Sequence, residues 1–226
     1  MPEPFQIELF GVKRLSGLIH IVDDDASFCR AVERQLKHAG YEVATYPSAQ
    51  PLLDRLPSAG EPGCILLDVR IPGMSGPELQ ARLSELGSTL PIIFLTGHAG
   101  TPTIVRTLKA GALDFLTKPV ASHDLLAAVA KALRDHEALL DQQRLLDGIR
   151  ARLARLSPRE RQVFDLIIRG NTNKAIGFAL DCTERTVKAH RHKVMKKMQV
   201  ETLAELVSLA ERVGALNDNN GVQPAN

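Results

Sequence analysis

CILLD at residues 64–68 and PIIFLT at 91–96 are short, nearly unbroken apolar runs, each closed by a polar residue. A strand with one wet face alternates apolar with polar; a run without alternation is buried on both faces, as in a parallel sheet covered by helices. LIHIV (18–22), YEVAT (41–45) and ALDFLT (112–117) have similar lengths. Between these runs the apolar residues change to helical spacing, as in Phe28, Val32 and Leu36, then Leu79, Leu83 and Leu86, then Ile104 and Leu108. Gly40 and Gly111 follow the first and last of these segments, where a left-handed helix cap favours glycine. The pattern predicts an α/β domain, a doubly wound five-stranded parallel sheet.

Residues 122–153 read as one long helix, without Pro and with Gly only at 148. Its Leu125, Leu126, Val129 and Leu133 can pack back on the sheet. Leu139, Leu146 and Leu153 then recur every seven residues, which fits either a solvated amphipathic linker or a short coiled-coil dimer seam. Ser157-Pro158-Arg159-Glu160 is a capping box with proline at the first helical position, and Gly170 closes that helix. A short helix follows from Thr172 to Leu180. Thr183 caps a third helix that runs to about Met198, and Thr202 and Glu205 form a second capping box before a face of Leu203, Leu206, Val207, Ala210 and Val213. Short helices with tight turns predict an all-α helix-turn-helix domain with a packing helix. The expected boundaries are an N-terminal extension 1–16, the α/β domain 17–135, a helical linker 136–152, the helix-turn-helix domain 153–214 and a flexible tail 215–226.

The 226 residues are 44% apolar and 24% charged, which excludes wholesale disorder and fibrous classes. No apolar run approaches the roughly 18 residues of a membrane span, and the first residues lack the pattern of a signal peptide. Cys29, Cys64 and Cys182 have no paired spacing, so neither a zinc site nor a disulfide framework is indicated. These features predict a cytoplasmic protein without a membrane partner. The net charge of +2 is unevenly divided, +5 within 153–214 and −3 elsewhere, so the last domain is the one suited to nucleic acid.

Ligands of an open parallel sheet collect at the carboxyl ends of its strands. There the first strand ends in Asp23 and Asp24, the third in Asp68, the fourth in Thr96 and Gly97, and the fifth in Lys118 and Pro119. Three carboxylates at one rim repel each other and call for a hard cation such as Mg²⁺. With Lys118 opposite and the Thr96 hydroxyl alongside, the set suits a phosphoryl group attacked by a carboxylate oxygen. Asp25, beside the pair, is expected to cap the first helix.

VDDD, LLDVRIPGMSG, LTGHAG and AGALDFLTKP resemble the receiver domain of bacterial two-component response regulators over roughly residues 17–135. The resemblance implies Asp68 as the phosphoacceptor for a sensor histidine kinase. It implies Asp23, Asp24, Asp68 and the backbone carbonyl of Arg70 as ligands of Mg²⁺ (or Mn²⁺), and Thr96 and Lys118 as binders of the phosphoryl oxygens. Thr96 and Phe115 would be the switch pair, and the Lys118–Pro119 peptide would be cis. Val120 replaces the family's usual aromatic, so packing beneath the following helix is expected to differ. Arg70 and His98 flank the mouth, where the family tunes water attack; two bulky groups there are expected to slow hydrolysis.

TERTVKAHRHKVMKK (183–197) holds six Lys/Arg against one Glu. Val187, Val194 and Met198 can face inward while Lys188, Arg191 or His192, and Met195 project outward, the division that a major-groove helix needs. LSPRERQVF, GNTNKAIGFAL and TERTVKAHRHKVMKKM resemble the LuxR-type helix-turn-helix, and the whole chain resembles a response regulator of the FixJ/NarL type. The resemblance makes 183–198 the recognition helix. Its candidate contacts to promoter double-stranded DNA are Lys188, His190, Arg191 and His192, with Thr183, Thr186, Asn173 and Lys174 toward phosphates. Gly177 and Cys182 replace bulkier residues, so the turn is expected to pack loosely.

The function expected is a non-enzymatic, phosphorylation-controlled transcriptional regulator. Phosphorylation of Asp68 would drive homodimerisation or release the DNA-binding domain, and contact with RNA polymerase is common in the family. Two rivals share some of these features. A phosphorylation-independent regulator with a vestigial receiver would lack one of the five site residues, and none is missing. An Mg²⁺-dependent aspartyl-nucleophile phosphatase would leave the basic domain unexplained.

Overall fold

Five parallel strands, β1 (Leu18–Val22), β2 (Glu42–Tyr46), β3 (Gly63–Asp68), β4 (Ile92–Thr96) and β5 (Asp114–Thr117), pair in the order β2-β1-β3-β4-β5. The structure, a computed structural model, describes residues 17–55, 60–97 and 107–215. Ile104, His98 and the predicted N-terminal extension lie outside these residues, as does the expected tail beyond Ala215. Alternate strand residues face opposite sides of the sheet, and both sides are covered. Ile19, Ile21, Leu66, Ile93 and Leu95 pack under α1 (Ala26–His38) and the first half of the long helix. Val22, Ile65, Leu67 and Phe94 pack under α2 (Ala49–Leu53) and α3 (Gly76–Glu85). Every residue of β3 is buried, as its unbroken apolar run requires.

Three strands start later than the apolar runs suggest: β4 by one residue, at Ile92, and β2 and β5 because of the helix ends before them. Tyr41 N–H donates to Leu36 O at 3.0 Å, with Gly40 at φ +89°, so the cap of α1 uses Tyr41 and β2 begins at Glu42. Ala112 N–H likewise donates to Thr107 O at 3.0 Å beside Gly111 at φ +94°, and β5 begins at Asp114. Of the helix expected around Ile104 and Leu108, residues 107–109 are described and helical. Leu86 (48% exposed) and Leu108 (43%) stand in solvent, contrary to the apolar faces assigned to them: Leu86 is the residue that closes α3, and Leu108 lies one residue before its helix ends.

The chain divides into two compact units that part between Leu140 and Asp141. The long helix α4 (Ser122–Ala154) gives Leu125, Val129 and Leu133 to the core of the first unit and Ile149 and Leu153 to that of the second. Between these anchors, Leu139 and Leu145 are exposed. His136, on the first half, is buried; its Nδ1 accepts the Gly63 N–H at 3.1 Å and its Nε2 meets Thr89 Oγ1 at 3.1 Å. With Nδ1 accepting, the proton of the neutral ring sits on Nε2, which then donates to Thr89.

In the second unit, α5 (Pro158–Ile168), α6 (Asn173–Ala179), α7 (Glu184–Met198) and α8 (Leu203–Arg212) surround Val163, Phe164, Ile167, Val187, Val194 and Met198. Ser157 and Glu160 form the expected capping box. At α8, Thr202 caps Glu205 N–H, but the Glu205 carboxylate reaches the Glu201 N–H instead of Thr202's own. Leu203 is exposed, outside the apolar face expected of it, because it opens the helix as its first residue. The α6–α7 turn is tight where looseness was expected. A Cβ on Gly177 would stand 2.8 Å from Cys182 O, so the absence of a side chain is what lets the two backbones close up.

Candidate functional site

β1 and β3 are neighbours at the point where strand order reverses, so their carboxyl ends open a crevice between them. Asp23 follows β1 and Asp68 ends β3. Lys118 reaches both from the turn after β5, with Nζ 2.5 Å from Asp23 Oδ2 and 3.1 Å from Asp68 Oδ1. Asp23 is 1% exposed and Asp68 8%. The Asp25 N–H donates to Asp23 Oδ1 at 3.0 Å, and the Arg70 N–H donates to Asp68 Oδ2 at 2.9 Å. Each carboxylate is thus held by one backbone amide and one shared ammonium.

Burial pushes the Asp23 carboxyl above its ordinary range, against the pull of Lys118 and the Asp25 amide. At Lys118 burial works to lower the ammonium's pKa, but hydrogen bonds to Asp23 and Asp68 outweigh it and hold it above the usual value. Lys118 Nζ donates to Asp23 Oδ2, so the attraction between the two groups opposes the burial that each of them undergoes.

Asp24 is exposed at the mouth, and Thr96 is buried at the end of β4. Phe115 stacks on Phe94, ring centroids 5.9 Å apart, within the core under α3. The Lys118–Pro119 peptide is cis. Val120 packs half-buried against the α1 side of the core. Asp25 caps α1 as expected, accepting the N–H groups of Ser27 (2.8 Å) and Phe28 (3.0 Å). Phe28 is the residue that sequence reasoning missed. Its spacing with Val32 and Leu36 marks it as core, yet its ring lies under Lys118, with Nζ 4.3 Å from the centroid.

Asp23 and Asp68 already converge on one cation, the Lys118 ammonium, and they offer only oxygen donors, the chemistry that hard divalent ions prefer. Among the described residues no three His, Cys, Asp or Glu side chains are gathered as a ready metal cage. A divalent ion therefore fits the donor set, in competition with the ammonium for the same carboxylates.

On α7, Lys188 and His192 are exposed and Arg191 is half-buried, its guanidinium donating to Asn173 Oδ1 on α6 at 3.1 Å. That contact brings two candidate DNA residues together. Thr183 caps α7 through the Thr186 N–H at 3.2 Å, with the two hydroxyls 3.0 Å apart. Lys174 is exposed. His190 is half-buried and its Nδ1 has no hydrogen-bond partner among the described residues. Met195, expected to project outward, packs against the core of the second unit, since four residues from Arg191 it follows the flank of the helix that faces in. Lys197 also turns away from the outer face, holding Glu160 Oε2 at 2.5 Å and Arg155 O at 3.0 Å.

A five-stranded sheet with two buried carboxylates and a lysine at its switch point, followed by a helix-turn-helix, defines a receiver joined to a DNA-binding domain. Residues 19–130 match the family described as response regulator receiver domain, and residues 154–210 match the bacterial regulatory proteins of the luxR family. The chain belongs to the response regulators that combine these two domains, and it is a phosphorylation-controlled transcription regulator. It is similar to the transcriptional regulatory protein FixJ of Bradyrhizobium diazoefficiens, 42% identical over 89% of this chain and 98% of that protein. It is also similar to the response regulator protein TodT of Pseudomonas putida, 38% identical over 93% of this chain and 92% of the other. A solved structure of the response regulator StyR aligns at a TM-score of 0.81 and 39% identity, covering 87% of this chain and 98% of that one. No described helix is long and apolar enough to cross a membrane.

Proposed function

We propose that Asp68 is the phosphoacceptor for a sensor histidine kinase and that its phosphorylation governs the binding of promoter double-stranded DNA by α7 in the cytoplasm. The observation that carries this reading is the shared ammonium: Lys118 stands between Asp23 and Asp68, where a phosphoryl group bonded to Asp68 would meet a cation at once. Asp68 presents a carboxyl oxygen to the phosphorus in line with the leaving group. The Arg70 N–H orients its other oxygen. Lys118 takes up a phosphoryl oxygen in exchange for its carboxylate contacts, and the Thr96 hydroxyl takes another. Mg²⁺ (or Mn²⁺), held by Asp23, Asp24, Asp68 and the Arg70 carbonyl, would supply charge neutralisation for the phosphoryl oxygens.

Movement of Thr96 toward that group opens space into which Phe115 turns, leaving its stack on Phe94 and remodelling the β4–β5 side of the sheet. That side then pairs with a second copy. The homodimer presents two recognition helices to two half-sites, and linkage multiplies modest single-site affinities. Lys188, His190, Arg191 and His192 would face the groove, with Asn173, Lys174, Thr183 and Thr186 at phosphates, and RNA polymerase would be a partner at the promoter. The site serves as a switch and not as a centre of turnover. The domains are assigned to 17–135, with linker 136–152 and DNA-binding domain 153–214.

Selection from a random duplex pool tests the reading. With acetyl phosphate and Mg²⁺ the wild-type chain should enrich a two-half-site sequence that Asp68→Asn does not. Equal enrichment by both proteins would favour a regulator that works without phosphorylation.

A further inference from the structure

Two carboxylates account for two sides of the Lys118 ammonium, and the third side is an aromatic face. Nζ lies 4.3 Å from the centroid of the Phe28 ring while Asp23 Oδ2 and Asp68 Oδ1 hold it at 2.5 and 3.1 Å. The ring is fixed from two directions. Asp25 accepts the Phe28 N–H at 3.0 Å and so sets the backbone of the first turn of α1. The ring edge packs against the core beneath α1 and α4. Lys118 is only 20% exposed, and a ring face attracts a cation more strongly as water is removed from it. A leucine would fill comparable space without offering that face.

We infer that Phe28 is a positioning residue for Lys118, its ring holding the dehydrated ammonium at the rim where the oxygens of a transferred phosphoryl group arrive. The inference rests on the proposed acceptor role of Asp68. In that transfer an Asp68 oxygen forms a bond to phosphorus while the bond from phosphorus to the donor atom breaks, and that atom, the imidazole nitrogen of a phosphohistidine or the carboxylate oxygen of acetyl phosphate, leaves with the electron pair. An Asp68 oxygen bonded to phosphorus carries less charge with which to hold the ammonium. The ring contact involves neither carboxylate and persists through the step. Phe28 therefore limits how far Lys118 can swing out to water just when the phosphoryl oxygens need it.

The test uses the full chain with Phe28 replaced in turn by 4-fluoro-, 3,5-difluoro- and 3,4,5-trifluorophenylalanine. These withdraw electron density from the ring face with little change of size. The rate of phosphorylation by acetyl phosphate at saturating Mg²⁺ should fall stepwise along the series, by about three- to tenfold in all. Phe28→Leu should be as slow as the trifluoro protein, and Phe28→Trp should restore most of what Phe28→Leu loses. Independently, in the metal-free protein the Lys118 ε-methylene protons should show an upfield ring-current shift in NMR spectra that Phe28→Leu abolishes. A flat rate series in a protein that is phosphorylated, or methylene signals at ordinary positions in the wild type, would overturn the inference. Failure of the wild type to take up any phosphoryl group, with the ring-current shift present, would overturn instead the acceptor role and the function given to the contact.

Discussion

Asp23 and Glu160 are both buried carboxylates beside a lysine, yet their acidities shift in opposite directions, because hydrogen bonds outweigh burial only at Glu160. Asp23 is 1% exposed, and burial, the strongest influence on it, pushes its carboxyl up. Glu160 is held down to about 2 from 4.5, chiefly by the Lys197 ammonium and then by the Ser157 amide. A carboxyl with a lowered folded pKa stabilises the fold above its unfolded value and loses that contribution as pH falls through the folded one. Glu160→Gln should therefore melt below the wild type at neutral pH, with the gap closing as pH falls from about 4.5 toward 2; a constant gap in thermal melts would show that charge is not the cause. Single residues of the basic helix divide in the same local way. Lys188 is exposed while Lys197 is spent on Glu160, so Lys188→Ala should weaken specific DNA binding at fixed salt, by about 1 kcal/mol for a phosphate or base contact. Unchanged affinity in a gel-shift titration would remove it from the interface. The six Lys/Arg of 183–197 were legible as a basic face, but which of them point inward depends on Glu160, which lies on another helix.

Caps and close approaches decide how the elements fit. Gly177 lies against Cys182 O with no room for a side chain, so Gly177→Ala should destabilise the second unit by about 1–3 kcal/mol in urea unfolding, without changing Lys188 or its neighbours on the outer face. A neutral result would mean that the turn relaxes at little cost. In the first unit His136 ties α4 to β3 and to the segment before β4. Burial lowers its pKa, so the neutral ring belongs to the folded state and its contribution is lost as pH falls below the ordinary imidazole value. His136→Ala leaves the Gly63 N–H without that acceptor and should cost about 1–3 kcal/mol, read from the denaturation midpoint. The sequence pattern placed all five strands to within two residues, because continuous apolar runs bounded by turns have few other readings. It overran β4 by Pro91 alone, and β2 and β5 because Tyr41 and Ala112 look like strand residues while their amides close the helices before them. Leu86 and Leu108 kept the right helical spacing but stand exposed at the ends of their helices.

At the scale of the whole molecule, charge and site chemistry are separated along the chain: the acidic crevice is in the first unit and the basic helix in the second, with α4 running through the boundary between them. That separation was legible because each half carries its own motif at specific spacing. Lys118 was legible at the rim as the partner of the carboxylates, but its contact with a ring was not, since Phe28 reads as ordinary core. If phosphorylation pairs two chains on one duplex, the slope of log affinity against log salt should roughly double on adding acetyl phosphate, because twice as many phosphates are neutralised. An unchanged slope with tighter binding would point to release of a masked domain instead. All of this depends on one carboxylate. Intact-protein mass with peptide mapping, run with Mg²⁺ and acetyl phosphate on the wild type and on Asp68→Asn, should show a single added phosphoryl group on the peptide that contains Asp68, and none on the variant. No added group on the wild type, or the same gain on Asp68→Asn, would mean that the acidic crevice is not the switch.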